Sequence, residues 1–199
     1  MIYIGHSQGT TQWFLANTLY SHLHHSYKAF IARAPVCFLK DFRNLSLETL
    51  NAFNIAELLM PTGSGYYRID SFLASFFQWF MNHFPNISFT IEGAFLGFNV
   101  LGPHLDKSRL PMIATHDFGG TSPKNMLMWL QTMRKQRPSY FDYGPAGNLE
   151  HYGAEASPEY DLDVLRDRLS EVPMLLVMGE RDPFTTPSNM EALMGILPP

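Results

Sequence analysis

Residues 2–9 read IYIGHSQG, a short β-prone run that leads into the pentapeptide Gly-x-Ser-x-Gly at positions 5–9. Downstream, apolar residues recur at the three- and four-residue spacings of a helix face, at Leu15, Ala16, Leu19 and Leu23. The stretch therefore predicts a strand, a sharp turn that carries Ser7, and a helix. This order decides the fold, because a strand that leads into a helix is the first half of a βαβ unit.

The pentapeptide in this context is typical of the nucleophile elbow of α/β-hydrolases, in which a serine projects from a strained turn. Such a turn leaves little room, which explains Gly5 and Gly9 beside it. The backbone N–H of Gln8 would then face a developing oxyanion, assisted by the positive end of the helix. A chance occurrence of the pentapeptide is the alternative. The side chains of His6 and Gln8 are expected to pack rather than to catalyse.

Two further segments complete the predicted sheet. The run 28–34 predicts a second strand, so residues 1–39 form a βαβ unit with parallel strands. Strand character returns over 172–178, and a helix is predicted over 187–195. The fold class is therefore α/β, a parallel sheet fragment of partial α/β-hydrolase type. In that fold several strands precede the elbow, so we expect part of the fold to lie outside this chain.

A long insertion separates the two sheet segments. We predict a large, mostly helical cap over residues 40–165, and a return to the α/β core over 166–199. Within the cap, helices are expected over 45–59 and from Ser122, which would be the N-cap, with Met126, Trp129, Leu130 and Met133 on one face. The Pro-, Gly- and Tyr-rich residues 137–160 are interpreted as loop. The alternative is a helical α+β domain in which these helices have no cap role.

Asp182 is the candidate acid of a catalytic triad. In this fold the chain order is Ser, then Asp or Glu, then His, and the acid follows a late strand. Asp182 stands in the turn after the strand 172–178, between Gly179 and Pro183. Glu180 is the competing candidate, and a plain turn or helix-capping role is the alternative for Asp182.

The general base is expected to be absent from this chain. The base should follow the acid, yet none of the eight histidines follows Asp182: they are His6, His22, His24, His25, His83, His104, His116 and His151. We therefore expect one more strand and a histidine-bearing loop beyond Pro199.

Composition excludes several classes of function. A net charge of −4 gives no footprint for nucleic acid. The single cysteine, Cys37, excludes an internal disulfide and is interpreted as a buried apolar residue. No apolar stretch is long enough to span a membrane, and Met1 opens a strand rather than a signal peptide. No motif requires a cofactor or a metal. Glycosylation sequons stand at Asn44 and Asn86.

Several segments together resemble the acid lipase family, which includes gastric and lysosomal acid lipases. These segments are YIGHSQGTT at 3–11, APV at 34–36, GTSPKNM at 120–126, FDYG at 141–144 and VMGERD at 177–182. The resemblance implies a secreted or lysosomal hydrolase of triacylglycerols or cholesteryl esters, acting at a lipid–water interface. It also implies Ser7 as nucleophile, Asp182 as the acid, the Gln8 amide as an oxyanion donor, and the aromatic segment 72–84 near a lid. Without the resemblance, core is the favoured interpretation, because an aromatic helix is more often core than lid.

Two other functions stay open from the residues. The chain could be a gene product without activity, since the expected base is missing. It could also be an α/β-hydrolase of small esters or thioesters, whose cap forms only a pocket wall.

Overall fold

The computed structural model describes residues 1–41, 106–109 and 121–199, and also the single positions 76, 79, 80, 83, 84, 87, 90 and 112. The chain divides into two compact units. One comprises Met1–Phe42 and Leu130–Pro199, and the other comprises Arg43–Trp129. The division into a core of 1–39 and 166–199 and a cap of 40–165 stays a prediction.

Three parallel strands form the sheet: β1 (Ile2–His6), β2 (Ala29–Arg33) and β3 (Met174–Val177). The order is β1-β2-β3, so β2 is central. Ile31 lies opposite Ile4 on one side and opposite Leu175 on the other. The predicted α/β class with a parallel sheet is confirmed, although the strands are shorter than the runs 28–34 and 172–178.

Five α-helices lie in the described part of the chain: α1 (Gln8–Leu19), α2 (Pro123–Lys135), α3 (Gly144–Tyr152), α4 (Val164–Arg168) and α5 (Pro187–Ile196). Short 3-10 turns occupy Leu23–Ser26 and Lys107–Arg109. Among the residues described, no helix has the length and apolar character that a membrane crossing requires.

Helix α1 covers one face of the sheet with aromatic side chains. The Trp13 indole stacks on the Phe30 ring at a centroid distance of 3.9 Å, and Phe14 meets Phe30 edge-on at 5.4 Å. Offset and edge-on arrangements of this kind stabilise cores beyond their buried area. Leucines of α4 and α5, among them Leu165 and Leu193, belong to the same buried cluster.

The predicted helix is confirmed, but the apolar stripe of α1 is not its most buried face. Leu19 is 48% exposed, whereas Thr10 and Asn17 are fully buried. The Asn17 amide donates to the Trp13 carbonyl oxygen at 2.8 Å, so its burial leaves that donor satisfied. A hydrophobic pattern cannot identify polar residues that are buried with hydrogen-bond partners. The apolar stripe therefore does not indicate the most buried face of the helix.

The opposite face of the sheet is apolar and exposed in the part of the chain that the structure describes. It carries Ile2, Ile4, Leu175 and Val177, which are 46–65% exposed. Parallel sheets are normally covered on both faces. The described residues therefore supply only one of the two layers that such a sheet requires.

Two helices correct the analysis of residues 121–160. Helix α3 lies inside 137–160, which we had interpreted as loop: Pro145 opens it and Gly153, with φ 71°, ends it. These residues mark helix boundaries as well as turns. In α2 the N-cap is confirmed, because the Ser122 hydroxyl accepts the Asn125 N–H at 3.0 Å. Its predicted face is partly wrong, since Met126 is 38% exposed.

The predicted helix over 45–59 lies outside the described residues. Of the aromatic segment 72–84, positions 76, 79, 80 and 83 have helical backbone.

Candidate active site

Ser7 is the only residue between β1 and α1. Its backbone has φ 49° and ψ −120°, a conformation that non-glycine residues rarely adopt. Its N–H donates to the Arg33 carbonyl oxygen at 3.0 Å, at the end of the neighbouring strand. Backbone strain of this kind costs about 1–3 kcal/mol and concentrates at functional sites. The predicted strand, strained turn and helix are present.

Gly5 provides the close approach that this turn requires. A Cβ at position 5 would lie 3.1 Å from the Thr10 nitrogen and 3.2 Å from the Gly9 carbonyl carbon. A Cβ at Gly9 would meet no described atom nearer than the Tyr3 hydroxyl at 3.9 Å. The steric reason that we gave for both glycines therefore holds for Gly5 and not for Gly9.

Gln8 opens helix α1, so its backbone N–H belongs to the positive end of the helix. Two threonines in the next turn make side-chain hydrogen bonds with the loop after β2. The Thr10 hydroxyl donates to the Ser7 carbonyl oxygen at 2.6 Å and accepts the Val36 N–H at 3.1 Å, and the Thr11 hydroxyl donates to the Val36 carbonyl oxygen. The elbow is thus tied to the second strand's loop.

Asp182 lies in the turn that follows β3. Its N–H donates to the Gly179 carbonyl oxygen at 3.1 Å. Its Oδ1 accepts the N–H groups of Phe184 and Thr185 at 2.8 and 3.2 Å. The carboxylate is therefore fixed through one oxygen, while the residue stays half-buried. The competing Glu180 is exposed.

Ser7 and Asp182 follow parallel strands at the same edge of the sheet. His6, Arg33 and Val177 end the three strands in register. Adjacent strands are about 4.8 Å apart, so β1 and β3 are separated by about 10 Å. The two candidates do not hydrogen-bond to each other, and the central strand β2 lies between the strands that they follow.

Among the described residues, no hydrogen bond joins a histidine side chain to Ser7 or Asp182. The Nδ1 of His83 lies 2.8 Å from the Trp79 carbonyl oxygen. Three histidines precede the amino end of β2, whereas Ser7 and Asp182 follow the carboxyl ends of their strands: His22, His24 and His25. His151 of α3 stacks on the Tyr143 ring at a centroid distance of 4.0 Å. Burial and the neighbouring His25 lower the pKa of His24. His6 adjoins Ser7 but is exposed at the strand end. His104 and His116 lie outside the described residues.

Neither a metal nor the cysteine provides a second reactive centre in the described region. No group of three or more His, Cys, Asp or Glu residues there could hold a metal ion. Cys37 is 2% exposed, and burial raises the pKa of its thiol to about 12. A thiol of that pKa is protonated at neutral pH and is a poor nucleophile.

Sequence reasoning missed the threonine contacts with Val36 and the left-handed backbone of Ala34, whose φ is 46°. Only the Pro35 that follows Ala34 marks this irregular loop in the sequence.

Comparison with curated proteins finds lipases along nearly the whole chain. Lysosomal acid lipase/cholesteryl ester hydrolase of Macaca fascicularis is 32% identical over 90% of this chain and 44% of its own length. Gastric triacylglycerol lipase of Bos taurus is 29% identical over 98% of this chain and 48% of its own length. The chain is therefore similar to acid lipases along nearly its whole length.

Lipase member J of Homo sapiens is 31% identical over 97% of this chain and 52% of its own length. The chain thus spans about half the length of the curated relatives it matches. No family model matches the chain.

Proposed function

We propose that this chain carries the nucleophile and the orienting acid of a serine hydrolase of neutral-lipid esters. The observation that carries the proposal is Ser7, held at φ 49° between a parallel strand and a helix. The relatives support the substrate class, since their names specify triacylglycerol lipase and cholesteryl ester hydrolase. Triacylglycerols or cholesteryl esters are the proposed substrates, and the α/β-hydrolase is the proposed parent fold.

In the proposed reaction the Ser7 hydroxyl attacks the ester carbonyl carbon while a histidine takes its proton. The Gln8 N–H donates to the resulting oxyanion, at the end of helix α1. The imidazolium then returns the proton to the leaving alcohol, and an acyl-enzyme remains. Water hydrolyses the acyl-enzyme by the same steps and releases the fatty acid. Asp182 holds the histidine in the required tautomer and stabilises its charged form.

We propose that none of the eight histidines of this chain is the general base. The chain order Ser, Asp, His requires a histidine after Asp182, and no histidine of this sequence follows that residue. Removal of the base from a serine triad lowers turnover by about 10⁴- to 10⁶-fold. We therefore expect this chain by itself to turn over esters very slowly.

Residues 40–165 are proposed as a cap that meets the lipid–water interface. Three described side chains of its aromatic segment are apolar and exposed: Phe76 is 49% exposed, Trp79 50% and Phe84 44%. Their rings contact one another, with Trp79 and Phe84 6.2 Å apart. Exposed apolar patches of this kind mark interaction surfaces. Secretion or a lysosomal location is proposed for the protein from its relatives.

Covalent labelling with a fluorophosphonate tests the nucleophile and the missing base together. We expect slow labelling at Ser7, none in Ser7→Ala, and an unchanged rate in Ser170→Ala, which removes an exposed hydroxyl. Free imidazole supplies the missing base, so it should accelerate labelling of the unsubstituted chain and leave Ser7→Ala unlabelled. Fast labelling that imidazole does not change would show that the chain already contains its base.

Substrate class is tested by a series of p-nitrophenyl esters of increasing chain length, with imidazole present. Long acyl chains should react faster than acetate. A preference for acetate would contradict the lipase proposal and favour a small-ester hydrolase. No reaction at Ser7 under any condition would favour a product without catalytic activity.

A further inference from the structure

Thr10 makes an arrangement of hydrogen bonds that the catalytic proposal leaves unused. Its side chain is 0% exposed, and its hydroxyl accepts the Val36 N–H at 3.1 Å while donating to the Ser7 carbonyl oxygen at 2.6 Å. A hydroxyl has one proton to donate. Since the Val36 N–H occupies a lone pair, the proton of Thr10 is directed at Ser7.

The Ser7 carbonyl therefore receives two donors from one residue. The Thr10 backbone N–H lies 2.9 Å from the same oxygen. This carbonyl and the Gln8 N–H belong to one planar trans peptide, in which the C=O and N–H bonds point in opposite directions. Whatever fixes the Ser7 oxygen also fixes the direction of the Gln8 N–H.

From this geometry we infer that Thr10 is a positioning residue that aims the Gln8 N–H at the reacting oxyanion; the inference rests on the function proposed above. Ser7 has a strained backbone, and rotation of the Ser7–Gln8 peptide plane would relieve that strain. The same rotation would turn the Gln8 N–H away from the oxyanion. The Thr10 hydroxyl opposes this rotation because it would lose its hydrogen bond to the Ser7 carbonyl oxygen. Its bond from the Val36 N–H keeps the hydroxyl oxygen in place.

Thr11 provides a matched control. It is 5% exposed and its hydroxyl bonds to the same residue of the same loop, the carbonyl oxygen of Val36. The Thr11 hydroxyl donates its proton to Val36 and not to the Ser7 carbonyl oxygen. Loss of either hydroxyl weakens the attachment of the loop to α1, but only loss of the Thr10 hydroxyl releases the peptide plane.

The deciding experiment measures the orientation of the Gln8 N–H bond by residual dipolar couplings. Its targets are this chain and its Thr10→Val, Thr10→Ser and Thr11→Val variants. We expect Thr10→Val to rotate the Gln8 N–H vector by more than the rest of α1, and Thr10→Ser and Thr11→Val to leave it in place. An unrotated vector in Thr10→Val overturns the inference. If Thr10→Val does not fold, Thr10→Cys replaces it, because its thiol is a weak donor of similar size.

Fluorophosphonate labelling with imidazole adds the catalytic readout. Loss of one oxyanion donor costs about 10²- to 10³-fold, so Thr10→Val should lose rate on that scale while Thr11→Val keeps most of it. Equal losses in the two variants, matched to equal losses of thermal stability, would make Thr10 merely structural and overturn the inference. If the unsubstituted chain does not label at all, the proposed function fails, and the couplings still decide whether Thr10 orients the peptide.

Discussion

The guanidinium of Arg168 donates to the Asn17 carbonyl oxygen at 2.7 Å, across 151 residues of sequence. A second bond from the same nitrogen reaches the Thr18 carbonyl oxygen at 2.8 Å. These carbonyls belong to the last turn of α1, where backbone acceptors lack helical partners and the helix carries partial negative charge. A side chain at the end of α4 therefore completes the helix that begins at the elbow.

Arg168→Ala should destabilise the fold. It removes two charge-assisted hydrogen bonds, one to the fully buried Asn17 and one to the half-buried Thr18, and such bonds contribute about 1.5–3 kcal/mol each before relaxation and water replacement. We expect a lower midpoint in urea denaturation followed by circular dichroism. Arg168→Lys, which keeps the charge and can reach one carbonyl, should lose less. Equal losses in the two variants would mean that the positive charge and the aliphatic stem contribute nothing without the paired guanidinium hydrogen bonds.

Gly5→Ala and Gly9→Ala should change the free energy of unfolding in opposite directions: Gly5→Ala lowers it and Gly9→Ala raises it. The new methyl at position 5 would press on the first turn of α1 at 3.1 Å, and overpacking of this kind costs about 1–3 kcal/mol. At position 9 the nearest described atom is 3.9 Å away, and alanine is favoured over glycine in a helix by about 1 kcal/mol. Urea titrations of both variants test this pair. A stability loss at Gly9 as large as that at Gly5 would refute our account of the turn.

Asp142 should make the stability of the fold depend on pH in the acid range. Burial alone would raise the pKa of Asp142, but hydrogen bonds from Asn148 and Gly144 and the charge of Lys135 lower it below its ordinary value. A lowered pKa adds stability above the unfolded value of about 3.9, and that stability is lost as pH falls through the folded pKa.

Asp142→Asn is therefore expected to be less stable than the unsubstituted chain at pH 6 and to approach it below about pH 4. Thermal unfolding across this range measures the gap. Asp161→Asn, at an exposed carboxylate, is the control. A gap that is constant across the range would show that the charge of Asp142 contributes nothing.

Cys37 should react with thiol reagents only after unfolding. Its thiol is buried and its pKa is raised to about 12, so little thiolate forms at pH 8. With Ellman's reagent we expect no absorbance change from the folded chain, and one thiol per chain in denaturant, since the sequence has a single cysteine. Rapid reaction of the folded chain would show that the loop after β2 opens readily.

The sequence predicts most of the elbow because its signals are local. A β-prone run, Gly5 and the start of a helix stand next to one another, and together they specify where Ser7 lies. Asp182 is similarly marked by the end of a strand and by Pro183. Their catalytic roles stay predictions, since no contact between them tests the triad.

What the sequence does not predict depends on partners that are distant along the chain. Thr10 can be buried on α1 because its hydroxyl bonds to Val36, which stands 26 residues further along the chain. Hydropathy does not register such a partner, so the apolar stripe indicates a different face of the helix. The sequence does not predict helix α3 for another reason. Pro145 stands at the start of this helix and Gly153 at its end, but in a segment rich in Pro and Gly such residues suggest a loop.

The sheet order has a consequence for synthesis on the ribosome. Strand β2 can pair with β1 as soon as Arg33 has emerged, but its other neighbour, β3, begins only at Met174. Until then the middle strand has an unpaired edge, and Arg168 has not yet reached α1. Such late, sequence-distant contacts slow folding and expose nascent chains to aggregation. The nascent chain therefore carries Ser7 long before the fold that holds this residue is complete, a period in which chaperone binding would have its greatest effect on yield.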